Sequence, residues 1–321
     1  MPKLLTIVVP VYKVEPYINK CLDSLVLEDN ILMDQLEVII VNDGTPDNSA
    51  EMSREYVKRY PQTFRQIDKE NGGHGSAWNV GLKEAKGKYL RFLDSDDWLT
   101  NLDLLLEKLN TTEADVVVTE MNTCDEQSGG ITTTSMAKTI GVELPVRSEE
   151  FGGNMSNFWC ATYKTSLLKP LYPLFLEGVS YDDSILYVVP HLCAETYIAF
   201  DFVVYNYLVG RDGQSMSVDI LTRRIPDMFR NYQHLKSFAQ KHNAGEIDGY
   251  VDEVLAHNRW TMFNVISCVP DYHLSKSYMI ELLSLGNLDH INTKKYRRYK
   301  TLPYRLFWFM EKTKCSRKDS N

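Results

Sequence analysis

Apolar residues fall along the first hundred positions in short, dense runs separated by helix-spaced stretches. Leu4–Val11 and Leu36–Val41 are nearly continuous apolar runs, the pattern of strands buried on both faces of a parallel sheet. Pro10 cannot donate to a ladder, so the first strand is expected to end there or beside a break. Ile18, Cys21, Leu22 and Leu25 repeat at helical spacing between Tyr17 and Val26. A second helix runs to about Tyr60, a weaker strand covers Phe64–Ile67, and a third helix spans Ala77–Ala85. Tyr89, Leu90, Phe92 and Leu93 form a fourth buried strand. Such alternation predicts an α/β fold with a doubly wound, mainly parallel, Rossmann-like sheet.

Further along, Asp115–Thr119 and Phe158–Tyr163 read as strands, and 122–146 as a peripheral hairpin or loop. A helix begins at Ser166, another covers Ile185–Cys193 around Pro190, and Ala199–Tyr207 is a strand. Beyond Asp219 the spacing of Met228, Phe229, Tyr232, Leu235 and Phe238 is helical, as are Tyr250–Val269 and Ser275–Leu285. Two domains are expected, 1–219 and a helical C-terminal region, 220–321.

In a doubly wound sheet, ligands bind outside the carboxyl ends of the strands, near a switch in strand order. Tyr12, Asp43 and the run Asp94-Ser95-Asp96-Asp97 all fall at such ends. Taken singly, each has an ordinary explanation. Tyr12 suits an amphipathic strand end, Asp43 a turn, and the acid run a solvated turn whose last Asp caps a helix near Leu99. Their convergence on one edge points to a nucleotide site. Tyr12 can stack on a base and Asp43 can accept from a base N–H or a ribose hydroxyl. Carboxylates so crowded repel one another unless a hard cation such as Mg2+ or Mn2+ joins them to substrate phosphates.

Asn71–Gly81 opens the helix before the acid strand, and its glycines permit close backbone approach to a ligand. It follows the wrong strand for a dinucleotide fingerprint and lacks the lysine of a P-loop. A second acid pair, Asp182-Asp183, stands at a helix start, where a dipole-stabilised cap is the alternative reading. Arg211 lies in a glycine-punctuated loop, 209–217, suited to meeting phosphate.

At 321 residues, 44% hydrophobic and 24% charged, the chain can bury a full core. No apolar run is long enough to span a membrane, and the N-terminus lacks the layout of a signal peptide. Six scattered cysteines without a CxxC pair argue against zinc or a disulfide framework and for a reducing compartment, so a cytoplasmic location is expected. The net charge of −8 hides an asymmetry: residues 294–318 hold ten Lys or Arg and one acid, while the chain before them carries −16. Such a body is a poor nucleic-acid binder, and no nucleic-acid partner is expected. The tail, mixing aromatics with cations, reads either as a peripheral membrane contact or as a helix packing its aromatics on the body.

These motifs together resemble the family 2 glycosyltransferases of the GT-A fold, in particular their bacterial cell-surface polysaccharide branch. The resemblance rests on Val9–Tyr12, Val41–Thr45, Asn71–Ser76, Asp94–Asp97, Tyr181–Asp183 and Gly210–Ser215, in the family's order from residue 4 to about 217. It implies a nucleotide-sugar half over about 1–100, an acceptor half over about 101–219, and inverting transfer from a UDP-sugar to a glycan or lipid-linked acceptor. By position, Tyr12 and Asp43 would hold the base, with Pro10, Glu15, Gly73, His74, Asn79 and Ser95 also on the donor. Asp94 would reach the ribose or a metal-bound water and, with Asp96, the Mn2+ or Mg2+ ion. Asp183 falls at the catalytic base, Asp182 beside it, and Arg211 at the phosphate. Two departures stand out: Trp78 replaces a common Arg, and no Q-x-x-R-W motif of processive synthases is present. A sugar nucleotidyltransferase would carry a basic glycine loop after the first strand, and a glycoside hydrolase gives no reason for Tyr12 and Asp43. A catalytically silent nucleotide-sugar-binding subunit is the alternative from outside the enzymes.

Overall fold

The computed structural model describes residues 2–135, 138–147, 158–211, 218–243, 249–286, 288 and 294–318. Residues 136–137 of the expected hairpin or loop at 122–146, residues 148–157, and residues 212–217 of the loop that follows Arg211 lie outside these residues. The chain divides into two compact units, Met1–Arg211 and Asp212–Asn321.

The first unit begins β1 (Leu5–Val11), α1 (Ile18–Asp23), α2 (Asn30–Gln35), β2 (Leu36–Asn42), α3 (Ser49–Arg59), β3 (Phe64–Asp68), α4 (His74–Glu84) and β4 (Tyr89–Phe92). It continues through β5 (Trp98–Leu99), α5 (Leu102–Leu109), β6 (Val116–Asp125), β7 (Ile131–Thr134), β8 (Glu143–Pro145) and β9 (Ala161–Lys164). After α6 (Thr165–Leu168) come a 3₁₀ turn over Asp182–Tyr187, α7 (Val189–Cys193) and β10 (Thr196–Val209). The strands form one sheet in the order β3-β2-β1-β4-β9-β6-β10-β5, with β7 on β6 and β8 on β10. β1 pairs in parallel with β2 on one side and β4 on the other. The strand order therefore reverses at β1, and the crevice above the β1 and β4 ends is the switch point of the sheet.

Pro10 does not end β1, which continues to Val11. Alternate residues bond to opposite neighbours: Asp43 N donates to Val11 O on the β2 side, and Leu93 N to Val8 O on the β4 side. The missing N–H of Pro10 thus faces β4, whose ladder stops at that step. The proline does not break its own strand; it releases the chain after Leu93 to turn away into the acid loop.

Phe92 on β4 stacks on Trp78 of α4 at 4.5 Å, and Phe158 and Phe175 meet the Trp78 ring edge-on at 5.1 Å. The indole is fully buried, so the position where a donor-binding Arg was sought is filled by core. Arg91 is also fully buried and donates to Thr162 Oγ1 at 2.8 Å and to the Trp159 carbonyl. Burial lowers its pKa to about 10.

Several elements differ from the sequence reading. β6 runs to Asp125 because β7 and β10 both pair along its far half. β9 starts only at Ala161, and the residues before it form a turn. No helix begins near Leu99; Trp98–Leu99 is a strand held by β10, and α5 starts at Leu102.

The second unit contains α8 (Val218–Arg223), α9 (Ile225–His242), α10 (Gly249–Ile266), α11 (Tyr272–Ser284), α12 (Lys294–Thr301) and α13 (Tyr304–Lys318). Leu235, Leu255, Phe263, Leu282 and Phe307 supply its core. A disulfide joins Cys268 to Cys315, correcting the expectation of free thiols throughout. Its partners are 47 residues apart and meet only because α13 folds back on the end of α10, where Trp308 Nε1 donates to Val269 O at 2.9 Å. This pairing removes the ground on which a reducing compartment was read from cysteine spacing.

Gly81 on α4 faces Val8 of β1, and a β-carbon there would stand 2.9 Å from Val8 Cβ and closer still to both its methyls. Rotating Val8 cannot relieve that contact. Gly81→Ala should therefore cost about 1–3 kcal/mol in overpacking, more than the roughly 1 kcal/mol gained in helix propensity. Urea denaturation would read the net loss.

Candidate active site

The glycine loop is fastened by Asp43. This buried carboxylate accepts from Lys69 Nζ at 2.6 Å and from the Gly72 and Gly73 amides, each at 2.9 Å. Its backbone carbonyl accepts from Asn71 Nδ2 at 3.0 Å. Gly73 takes φ of 85°, a left-handed value only glycine adopts freely, and caps α4. Gly178 N donates to Gly72 O at 2.7 Å, which draws the segment before the 3₁₀ turn against the helix start. A β-carbon at Gly75 would collide with the Asp182 carboxylate and the Leu176 carbonyl.

His74, the first residue of α4, occupies the resulting gap. Its Nε2 lies 3.0 Å from Asp94 Oδ1 and its Nδ1 3.4 Å from Asp182 Oδ1. Burial alone would lower the imidazole pKa; the two carboxylates outweigh it and hold the pKa well above the ordinary value. Both ring nitrogens then donate, and one imidazolium ties the acid loop after β4 to the acid pair of the 3₁₀ turn. Asp182 is buried, and its Oδ2 has no hydrogen-bond partner. Asp183 is only partly covered, and desolvation followed by repulsion from Asp182 raises its pKa to about 7.

The acid loop is split in its allegiances. Asp97 is buried and structural: it accepts from Tyr205 Oη at 2.6 Å and from Leu208 N at 2.8 Å. Burial, then Asp96 and Asp94, raise its pKa well above the usual range. Tyr205 Oη also accepts from Asp94 N at 3.2 Å, so β10 braces the loop from below. Asp96 is ion-paired with Arg211, whose guanidinium stands 5.6 Å from the Tyr17 ring centre. Burial and Asp94 raise the Asp96 pKa even so.

These residues fit a divalent cation as a partial ligand set. Asp94 and Asp96 offer hard oxygen donors, and a cationic side chain already rests on each. Among the described residues no group of three or more His, Cys, Asp or Glu is arranged to hold a metal by itself.

Other expected residues are placed as follows. Tyr12 is 43% exposed at the end of β1, open to stacking. Glu15 accepts from the backbone and side-chain amides of Asn48, both at 3.1 Å. Pro10 and Ser95 are buried. Asn79 is not brought to the site: its Nδ2 donates to Phe175 O at 2.8 Å and its Oδ1 accepts from the Leu174 and Phe175 amides, so it anchors that loop. Three residues escaped the sequence reading. Asp47 gathers Thr45, Ser49 and the Glu15 amide into the wall beside Tyr12. Lys69 neutralises Asp43, and Tyr205 supports Asp94. Only Asp47, inside a cluster of turn formers, left a local signal.

A sheet with an acid run at its switch point, faced by a second acid pair, is the arrangement of a ligand site in a doubly wound α/β fold. A family model described as glycosyl transferase family 2 matches residues 6–170, over half of the chain, and the chain belongs to that family. The uncharacterized glycosyltransferase EpsJ of Bacillus subtilis is 41% identical over 119 residues, covering 36% of this chain and 33% of EpsJ. The putative glycosyltransferase EpsH of the same organism is 31% identical over 212 residues, covering 64% of this chain and 60% of EpsH. The match thus spans less than two thirds of either relative. Among solved structures, residues 1–349 of Staphylococcus aureus TarS in complex with UDP-GlcNAc align with a TM-score of 0.56 at 20% identity, covering 87% of this chain and 89% of that one. This likeness carries the GT-A fold.

Asp97→Ala should destabilise the first unit by about 1–3 kcal/mol, because Tyr205 Oη and Leu208 N would lose their buried acceptor. His74→Ala should cost a similar amount of roughly 1–3 kcal/mol, since it leaves Asp182 buried without its cationic partner. Thermal unfolding of both variants would measure the losses.

Proposed function

We propose that the chain is an inverting, metal-dependent glycosyltransferase that moves a hexosyl group from a UDP-sugar to a hydroxyl of a glycan or lipid-linked acceptor. Its place would be cell-surface polysaccharide synthesis on the cytoplasmic side of the membrane. The observation that carries this reading is the His74 bridge, which sets the acids at the switch point against Asp182 and Asp183. Donor-side and acceptor-side carboxylates then share one small site. Membership of family 2 and the UDP-GlcNAc in TarS favour a UDP-sugar.

In this reading Tyr12 stacks on the uracil, while the Asp43 carboxylate, occupied by Lys69 and the Gly72 and Gly73 amides, fixes the glycine loop instead of accepting from the base. Asp96 and Asp94 would hold Mn2+ or Mg2+, which supplies charge stabilisation for the departing diphosphate. Arg211 exchanges Asp96 for a phosphate oxygen, a bidentate match. Asp183 takes the proton of the acceptor hydroxyl on the face opposite the leaving group, one carboxylate being sufficient for inversion. His74 orients Asp182, and burial followed by repulsion from Asp182 raises the Asp183 pKa toward neutrality, where a general base works best.

The pH dependence follows from that raised value. Asp183 must be ionised to act, so kcat should climb about tenfold per pH unit below about 7 and level off above it. Asp183→Asn should lower kcat by about 10²–10⁴ with UDP affinity retained. Isothermal titration of UDP with Mn2+ and with EDTA tests the donor half. Metal-dependent binding is expected in the wild type and should vanish in Asp96→Ala, whereas no UDP binding in either buffer would overturn the uridine assignment.

A further inference from the structure

The two cationic side chains that rest on Asp94 and Asp96 are held very differently. His74, against Asp94, is fixed from two further directions. Its other ring nitrogen faces Asp182 at 3.4 Å, and its ring centre lies 4.1 Å from that of Trp78. Arg211, against Asp96, is only half satisfied. Its Nη2 makes the ion pair, while its Nε is buried and has no hydrogen-bond partner among the described residues. Nε and Nη2 are the two donors of one guanidinium edge, a fork that fits two oxygens of a carboxylate or phosphate at once. Asp96 therefore uses that edge with a single oxygen.

The root of Arg211 is rigid. Glu126 N donates to Val209 O and Gln127 Nε2 to Gly210 O, each at 2.9 Å, so the β6–β7 turn pins the backbone up to Gly210. Gly210 takes φ of 83°, and a β-carbon there would stand 3.1 Å from Asp125 Oδ2. A change of partner thus falls to the rotatable side chain of Arg211 and not to the strand that carries it.

The two demands on Asp96 conflict. Its side chain is 13% exposed, and a divalent cation ligated there would stand beside the guanidinium in a crevice that screens their repulsion poorly. A diphosphate resolves the conflict, since its oxygens complete the cation's shell and also fill both donors of the Arg211 edge.

We propose that Arg211 couples cation to donor: it holds Asp96 until a diphosphate takes its Nε–Nη2 edge, so that cation and nucleoside diphosphate enter together. The inference rests on the transferase reading for the identity of the donor. A purely structural ion pair is the competing account, and it gives no reason for a buried, unused Nε.

The experiment measures Mn2+ binding to the full chain from the electron paramagnetic resonance signal of the free ion, with and without UDP. In the wild type UDP should tighten Mn2+ on the order of a hundredfold, and Mn2+ should tighten UDP by the same factor. Arg211→Gln should bind Mn2+ alone about tenfold tighter than the wild type and keep about a tenth of the coupling. Arg211→Lys, still cationic but without a two-donor edge, should bind Mn2+ alone as weakly as the wild type and also keep about a tenth of the coupling. Lys20→Gln controls for charge. Lys20 is exposed and stands over the Trp98 ring, next to the acid loop, so its loss should shift Mn2+ affinity by less than about twofold. Unchanged Mn2+ affinity in Arg211→Gln, full coupling in Arg211→Lys, or equal tightening in Lys20→Gln would each overturn the inference and leave the donor site standing. A wild type in which UDP and Mn2+ bind independently would do the same. A wild type that binds neither would overturn the transferase reading and this inference together.

Discussion

Mutual repulsion among carboxylates is the constraint to which this site is built. Asp94, Asp96, Asp97, Asp182 and Asp183 gather at the carboxyl end of the sheet, and they are reconciled with one another by several devices. Asp97 receives a hydroxyl and an amide from β10. Asp96 receives the guanidinium of Arg211. Asp94 and Asp182 share the single imidazole of His74. Asp183 has no comparable cation of its own, and its pKa rises instead. Charges this close in a partly desolvated crevice persist only with such compensation. Elements well away from the edge serve the same end. Asp43 fixes the glycine loop that delivers His74, and Pro10 stops the ladder so that the chain after Leu93 can leave the sheet.

Features with a short period were legible in the sequence. The apolar runs placed the first four strands and the helices α1, α3 and α4 between them, though not the short α2, and the positions of Tyr12, Asp43 and Asp94–Asp97 at strand ends followed from that. What escaped is long-range. Trp78, Phe92, Phe158 and Phe175 come from four separate segments, and nothing near Trp78 marks it as the centre of a ring cluster. Asn79 was placed on the donor by the family resemblance. Its amide is taken up by Leu174 and Phe175, almost a hundred residues later. Tyr205 and Lys69 are of the same kind: ordinary residues in ordinary elements until the fold sets them beside an aspartate.

The second unit makes a complementary point. Aromatic and cationic side chains are interleaved so evenly from Lys294 to Lys318 that periodicity does not separate inside from outside. The buried set is fixed by partners on α10 and α11: Val269, Ser275 and the Cys268–Cys315 bond. Helix packing, one of the two readings of the tail as a string, describes one side of α13, while Leu306, Phe309 and Met310 on its other side stay exposed.

The same logic of paired roles distinguishes the two acids of the 3₁₀ turn. Asp182 is almost wholly buried, and its carboxylate is held in place by His74. Asp183 has the opposite circumstances. It reaches solvent, is unpaired with His74, and sits beside a fixed negative charge that makes a proton welcome. Without His74 the buried Asp182 would lose the group that holds its carboxylate, and its position beside Asp183 would no longer be fixed. In the proposed mechanism the surroundings of Asp183 thus depend on the histidine that holds its neighbour.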